Sequence, residues 1–235
     1  MICLVDERIS DKCERALLKR GFRVIKLPPC DKLGAPVASH PDMLLFYHGG
    51  NIIASAEYCE RFPYVFSDIR EFSNARLSFC DEIYGKDYPK DAIFNALTIG
   101  NFIFLKEDTV SEAVKDYARG AGLTPVHTKQ GYPACTTLAF GGSAITADRG
   151  LATTLTRHEI KVTLISNGGI SLFPYEYGFI GGAAGVFGNT VYFLGDISSH
   201  PDFDKIKAAL DYEGYIPCSL SDEPLVDLGR IIFVD

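Results

Sequence analysis

Short apolar runs recur along this chain, and most lead through a glycine turn into a second apolar run. Met43–Tyr47 passes Gly49-Gly50-Asn51 and enters Ile52–Ala54. Asp91–Leu97 passes Gly100-Asn101 and enters Phe102–Leu105, and Thr136–Phe140 turns at Gly142-Ser143 into Ala144–Thr146. A fourth turn, Gly188-Asn189, opens onto Val191–Leu194, and Leu225–Leu228 reaches Gly229-Arg230 and Ile231–Asp235. Glycine and asparagine tolerate the positive φ of tight turns, so the pattern predicts five β-hairpins.

Helices and further strands fill the intervals. Ser10 caps a predicted helix to about Arg20, and Thr109 or Ser111 caps another to about Arg119. A short helix is expected over Ala56–Phe62, stopped by Pro63, a fourth near Gly150–Arg157, and a fifth from Ser198 or Ser199 to Leu210. Strands are expected at Ile2–Val5, Phe22–Leu27, Val65-Phe66, Leu77–Phe79, Leu123–Thr128, Val162–Ile165 and from Gly214.

The turn glycines fall at 50, 100, 142, 188 and 229, so a unit of 41 to 50 residues repeats with one grammar. One such unit cannot bury its own sheet face, whereas neighbours arranged about an axis can. The expected fold is α/β, a five-bladed αβ-propeller with pseudo-five-fold repeats, in a single domain over 1–235. A doubly wound sheet with incidental hairpins is the alternative, and it calls for mostly parallel crossovers.

Composition narrows the function. With 47% apolar and 23% charged residues the chain is ordinary for a globular protein. A net charge of −7 and the lack of a basic run argue against nucleic acid as a partner. Met1–Asp6 is too short and too soon acidic for a signal peptide, and no apolar run approaches the roughly 20 residues of a membrane span, so no membrane partner is expected. Seven cysteines without pairwise spacing read as reduced thiols in the cytoplasm, with no metal site. No phosphate- or dinucleotide-binding signature is present, and no cofactor is expected.

Five αβ units about an axis resemble the pentein fold of the guanidine-modifying enzymes. That superfamily includes arginine deiminase, dimethylarginine dimethylaminohydrolase and agmatine deiminase, with a non-enzymatic relative, the ribosome anti-association factor of translation initiation; the chain is also similar to a bacterial family with this fold. The resemblance implies a cysteine nucleophile in a glycine-preceded loop entering a strand, and Gly131–Leu138, with Cys135, is similar to that element. It implies a histidine two units earlier. Ser39-His40-Pro41-Asp42-Met43 is similar to the His-x-Asp element, 95 residues before the cysteine. It also implies an acidic pair that holds the guanidinium one unit beyond the cysteine, where this chain has Gly181-Gly182. The order fits a circularly permuted pentein, and the missing pair weighs against an arginine-like substrate.

Each candidate has a structural counterpart. Cys135 acts as a nucleophile only if a histidine or converging N–H groups lower its pKa, and is otherwise an inert core thiol. On the first reading it is the most reactive of the seven thiols. His40 serves as general acid/base, with Asp42 orienting it or binding substrate; alternatively the tripeptide is a turn, like Ser199-His200-Pro201-Asp202. Gln130 and Tyr132 flank the cysteine loop and offer hydrogen bonds to substrate or to the fold. Asp91 and Glu176 occupy equivalent loops and are candidates to replace the acidic pair, or are solvated. Gly181-Gly182 lets a substrate or another backbone approach closely. Two functions follow: a cysteine-dependent hydrolase of a small amidine- or amide-like molecule, or a non-catalytic module binding a small molecule or a protein. The oligomeric state stays open.

Overall fold

The structure is a computed structural model that describes residues 1–235. In the first unit, β1 (Ile2–Asp6) leads through helix α1 (Asp11–Lys19) to β2 (Arg23–Leu27), which pairs parallel to it. Ser10 caps α1 by accepting the Cys13 N–H, and the fully buried Leu17 pins the helix to the sheet. Burial of one leucine stabilises by about 1.5–3 kcal/mol.

The next unit holds α2 (Pro41–Leu44), β3 (Leu45–His48), β4 (Asn51–Ser55), α3 (Ala56–Arg61), α4 (Pro63–Phe72) and β5 (Arg76–Cys80). β6 (Leu97–Ile99), β7 (Phe102–Leu105), α5 (Glu112–Gly120) and β8 (Thr124–His127) follow. The Cys135 unit holds α6 (Pro133–Thr136), β9 (Thr137–Phe140), β10 (Ser143–Thr146), α7 (Arg149–Arg157) and β11 (Lys161–Leu164). After the short β12 (Ile170–Ser171) come β13 (Ala184–Phe187), β14 (Thr190–Phe193), α8 (Phe203–Tyr212) and β15 (Ile216–Ser219), and the chain ends with β16 (Leu225–Val226) and β17 (Ile232–Val234).

Five three-stranded sheets share one pattern: an incoming strand, an antiparallel second strand, then a helical crossover to a parallel third. A sixth, two-stranded sheet pairs β12 with β16. Four glycine hairpins stand as expected, at Gly49-Gly50, Gly100, Gly141-Gly142 and Gly188, all with positive φ. The fifth does not. β16 turns away to β12, and β17 pairs antiparallel with β1, Ile2 opposite Val234. The last strand is therefore the incoming strand of the first sheet, so both ends of the chain build one sheet. β6 packs beside β9, β9 beside β13 and β13 beside β17.

Three local expectations are corrected. Val65-Phe66 is helical: α3 ends at Arg61 ahead of Pro63, as expected, but Pro63 then opens α4, whose Val65, Phe66 and Ile69 share its buried face. Met43-Leu44 belongs to the one-turn α2. The last helix starts at Phe203, after a 3-10 turn over Ile197–Ser199 whose Ser198 N–H is taken by Asp196. No helix is long and apolar enough to cross a membrane.

Candidate active site

Cys135 sits in α6, a single turn whose four residues are all buried. Pro133 takes the first helical position, where a missing N–H leaves nothing unpaired. Gly131 precedes it because a Cβ there would lie 2.3 Å from the Tyr88 ring. Asn95 Oδ1 accepts the Ala134 N–H at 2.9 Å, and the Cys135 carbonyl accepts the Gly182 N–H at 2.9 Å.

The second short helix, α2, supplies His40 at its N-cap and Asp42 in its first turn. The Asp42 N–H donates to the Gly229 carbonyl at 3.3 Å. Gly229 has φ of +68°, and a Cβ there would lie 2.2 Å from the His40 Cβ, so the junction admits only glycine.

The Cys135 thiol donates to Asp42 Oδ2 at 2.8 Å, and Asn95 Nδ2 donates to the sulfur at 3.1 Å. Asp42 therefore holds the cysteine, not the histidine. The His40 ring lies 4.0 Å from Asp227 Oδ1 and 3.8 Å from Asp6 Oδ2 and hydrogen-bonds to neither. Asp6 is already engaged, with Oδ1 accepting Arg8 Nε at 2.9 Å. Asp227 accepts the Phe179 N–H at 2.9 Å and the Gly229 N–H at 3.0 Å.

Burial dominates the electrostatics. It raises the Asp42 carboxyl, and lifts Asp227 to about 7, with Asp42 and Asp6 adding to the rise. It lowers His40 to about 3, with Arg8 helping, so the ring is a neutral imidazole. Cys135 is pushed well above the ordinary thiol range, first by burial and then by Asp42 and Asp227. The expected thiolate-favouring imidazolium is thus absent: Cys135 is 5% exposed and rests as a thiol against a carboxylate.

A cavity of about 420 Å³ opens here, and His40, Cys135, Asp91, Tyr132, Glu176 and Asp227 all line it. Lys86 also lines it, on an exposed residue. Tyr132 donates to Asp91 Oδ2 at 2.8 Å, and the Asp91 carboxyl is raised by burial. Carboxylates outnumber cations around this space, which suits a positively charged ligand. No three His, Cys, Asp or Glu side chains are grouped to hold a metal ion.

Three candidates lie elsewhere. Gln130 lines a different cavity, where its Nε2 donates to Asp148 at 2.7 Å and its Oε1 accepts the Tyr132 N–H at 3.1 Å, so it braces the cysteine loop from behind. Gly181 and Gly182 are spacers. A Cβ on Gly181 would lie 2.3 Å from the Ala134 carbonyl, and one on Gly182 would lie 1.9 Å from Asp227 Oδ1. The pair gives way to backbone and to an acid, so its lack of carboxylates does not empty the site of them. Sequence reasoning missed Asn95, Asp227 and the Asp6–Arg8 pair. One signal was available for Asn95: it lies two residues ahead of its incoming strand, as Cys135 does.

Solved structures share this architecture. A dimethylarginine dimethylaminohydrolase from Pseudomonas aeruginosa, a mutant complexed with citrulline, matches with a TM-score of 0.57 at 10% identity, over 94% of this chain and 92% of that chain. An amidinotransferase of the saxitoxin biosynthetic pathway from Microseira wollei matches with 0.57 at 11% identity, over 94% and 78%. Inosamine-phosphate amidinotransferase from Streptomyces griseus matches with 0.54 at 14% identity, over 97% and 81%. No curated protein sequence matches the chain. The fold is that of the guanidine-modifying, pentein-type enzymes, and the chain belongs to the family of unknown function DUF6873, whose model matches residues 4–232.

Proposed function

We propose that this protein is a cysteine-dependent hydrolase of a small cationic amidine or guanidine. The observation that carries this reading is the cavity shared by Cys135, His40, Asp91 and Asp227, a thiol and an imidazole among carboxylates. An amidinium entering it brings the positive charge that the thiol lacks at rest and lowers the thiol pKa on arrival. Asp42 Oδ2, 2.8 Å from the sulfur, takes the thiol proton. The sulfur bonds to the amidine carbon, the C–N bond breaks, and the amine departs with that proton, so no other proton is consumed. Water then attacks the thioester-like cation. One water proton restores the thiol as the C–S bond breaks, and the other passes to neutral His40 and on to solvent.

The five sheets are read as the blades of a closed αβ-propeller, and residues 1–235 as one pentein-like domain. The pairing of β17 with β1 and the side-by-side packing of β6, β9, β13 and β17 support this. The seven free cysteines suit a reducing, cytoplasmic setting. The second reading is a binding module that holds the cation without turnover, and the neutral resting state of Cys135 and His40 favours it. Amine release from a panel of amidines and guanidines separates the two. Wild-type turnover that Cys135→Ser abolishes supports the hydrolase; binding of the same compounds without turnover supports the module.

A further inference from the structure

A second cavity, of about 210 Å³, shares Asp42 with the cysteine site but not Cys135. Strands β3, β6, β13 and β17 wall it with Phe46, Phe94, Val186 and Phe233 among the apolar residues. Two charged side chains face this space, Arg230 and Asp42, and Tyr47, His48 and Thr98 line it as well. Arg230 forms no ion pair and no side-chain hydrogen bond, and its buried Nε has no partner. No other lysine or arginine in the chain has a buried nitrogen without a partner. Asp42 is 3% exposed, and its Oδ1 is equally unpartnered while Oδ2 holds the cysteine. Leaving such groups desolvated and unpaired costs about 1–3 kcal/mol each, more for charged ones. A ligand that accepts from the arginine recovers its part of that cost.

The backbone holds the arginine in place. Arg230 has φ of +65°, in the left-handed region, and its N–H donates to the Gly182 carbonyl at 2.8 Å. A glycine would sit there without strain, so the arginine is kept against the local backbone preference. Its guanidinium offers a planar fork of donors matched to a carboxylate or phosphate. Burial raises the Asp42 carboxyl while the Arg230 charge draws it back down, so the guanidinium offsets the repulsion between Asp42 and an incoming anion.

We propose that this cavity is a second ligand site, which takes a small organic oxyanion with a compact apolar body on the Arg230 guanidinium. A carboxylate and a phosphate ester share this chemistry, and two probes distinguish them: benzoate and phenyl phosphate, each titrated to millimolar concentration by calorimetry and thermal shift. At least one is expected to bind wild-type protein and to raise its melting temperature. Arg230→Gly keeps the backbone unstrained, so it folds; it is expected to weaken binding about tenfold or more, while Arg230→Lys keeps part of it. Cys135→Ser is expected to bind as wild type does, which keeps this test apart from that of the hydrolase. Stronger binding of benzoate assigns a carboxylate, and stronger binding of phenyl phosphate assigns a phosphate ester. The proposal is overturned if neither probe binds, if Arg230→Gly binds undiminished, or if Cys135→Ser abolishes binding.

Discussion

The same tripeptide, His-Pro-Asp, occurs at residues 40–42 and 200–202, and the two copies have opposite surroundings. In the second copy, Asp202 Oδ2 accepts the Ser166 N–H at 2.6 Å and Oδ1 pairs with Lys205 at 2.7 Å, while His200 Nδ1 accepts the Asp202 N–H at 3.0 Å. Lys205 and those hydrogen bonds hold the Asp202 carboxyl well below its usual range. In the first copy, both His40 ring nitrogens lack partners, Asp42 faces a thiol, and burial raises its carboxyl. The second copy is a junction before a helix whose aspartate is fully engaged, with His200 Nε2 alone left without a partner. The first carries unspent polar groups into a cavity, and that difference, not the tripeptide, marks a candidate site.

The largest expected contrast is in turnover. Once a substrate is found, Asp42→Ala and His40→Ala should each lower kcat by roughly 100- to 10,000-fold, the usual range for general acid–base groups. Asp202→Ala and His200→Ala should leave it within about twofold, as exchanges remote from the reacting atoms do. Equal losses in both copies would erase the distinction.

Stability gives the next contrast, since a glycine packs against each copy. A Cβ on Gly229 would meet the His40 Cβ at 2.2 Å and its Cα at 2.6 Å, whereas one on Gly169 would meet Pro201 Cδ at 2.6 Å and His200 Cδ2 at 3.2 Å. Both glycines have positive φ, +68° and +75°, so the strain of a side chain is common to both. Overpacking costs about 1–3 kcal/mol or more. In urea denaturation Gly229→Ala should lose the larger amount, because its clash is with the backbone of a fully buried residue.

The smallest contrast is in pH dependence. Asp227 is raised to about 7 in the fold, so the native state keeps a proton that the unfolded chain releases near its ordinary value of 3.8. Its contribution is present below that ordinary value and is lost as pH rises towards 7. His40, lowered to about 3 from 6.5, acts oppositely: its contribution is present above 6.5 and is lost as pH falls. The two offset each other between about pH 4 and 6.5. Asp227→Asn should therefore leave a profile that rises with pH over that window, with a change on the order of a few kcal/mol at about 1.4 kcal/mol per pKa unit. Asp202 is lowered, so its contribution is lost only as pH falls below its ordinary value of 3.8. Asp202→Asn should leave the profile between pH 4 and 7 unchanged.

Much of the fold was legible because hairpins impose backbone conformations that few residues accept. Four glycine turns were placed correctly for that reason, and Ser10 and Ser111 both cap the helices they were expected to start. The fifth hairpin failed because β17 finds its partner in β1, at the other end of the chain, and no local pattern announces that pairing. The same error hid Asp227, which was read as part of a strand and instead follows β16 into the cavity. Cys135 and His40, paired by their spacing in the sequence, line one cavity. Their one-turn helices were not found, since four residues carry no periodicity. The repeat register held more than was taken from it: Asn95, Cys135, Gly182 and Arg230 each stand two residues ahead of an incoming strand, and all four border the two cavities or their walls.

The central claim is that Cys135 is a resting thiol in a cation-seeking cavity. Chloroacetamidine and chloroacetamide are matched electrophiles that differ in charge, and labelling at neutral pH followed by peptide mass spectrometry compares them site by site. The account predicts that the cationic reagent modifies Cys135 at least about tenfold faster than the neutral one, beyond their ratio on free cysteine, and that His40→Ala and Asp227→Asn reduce the excess. Equal rates at Cys135, or modification confined to the partly exposed Cys59 and Cys218, would contradict it.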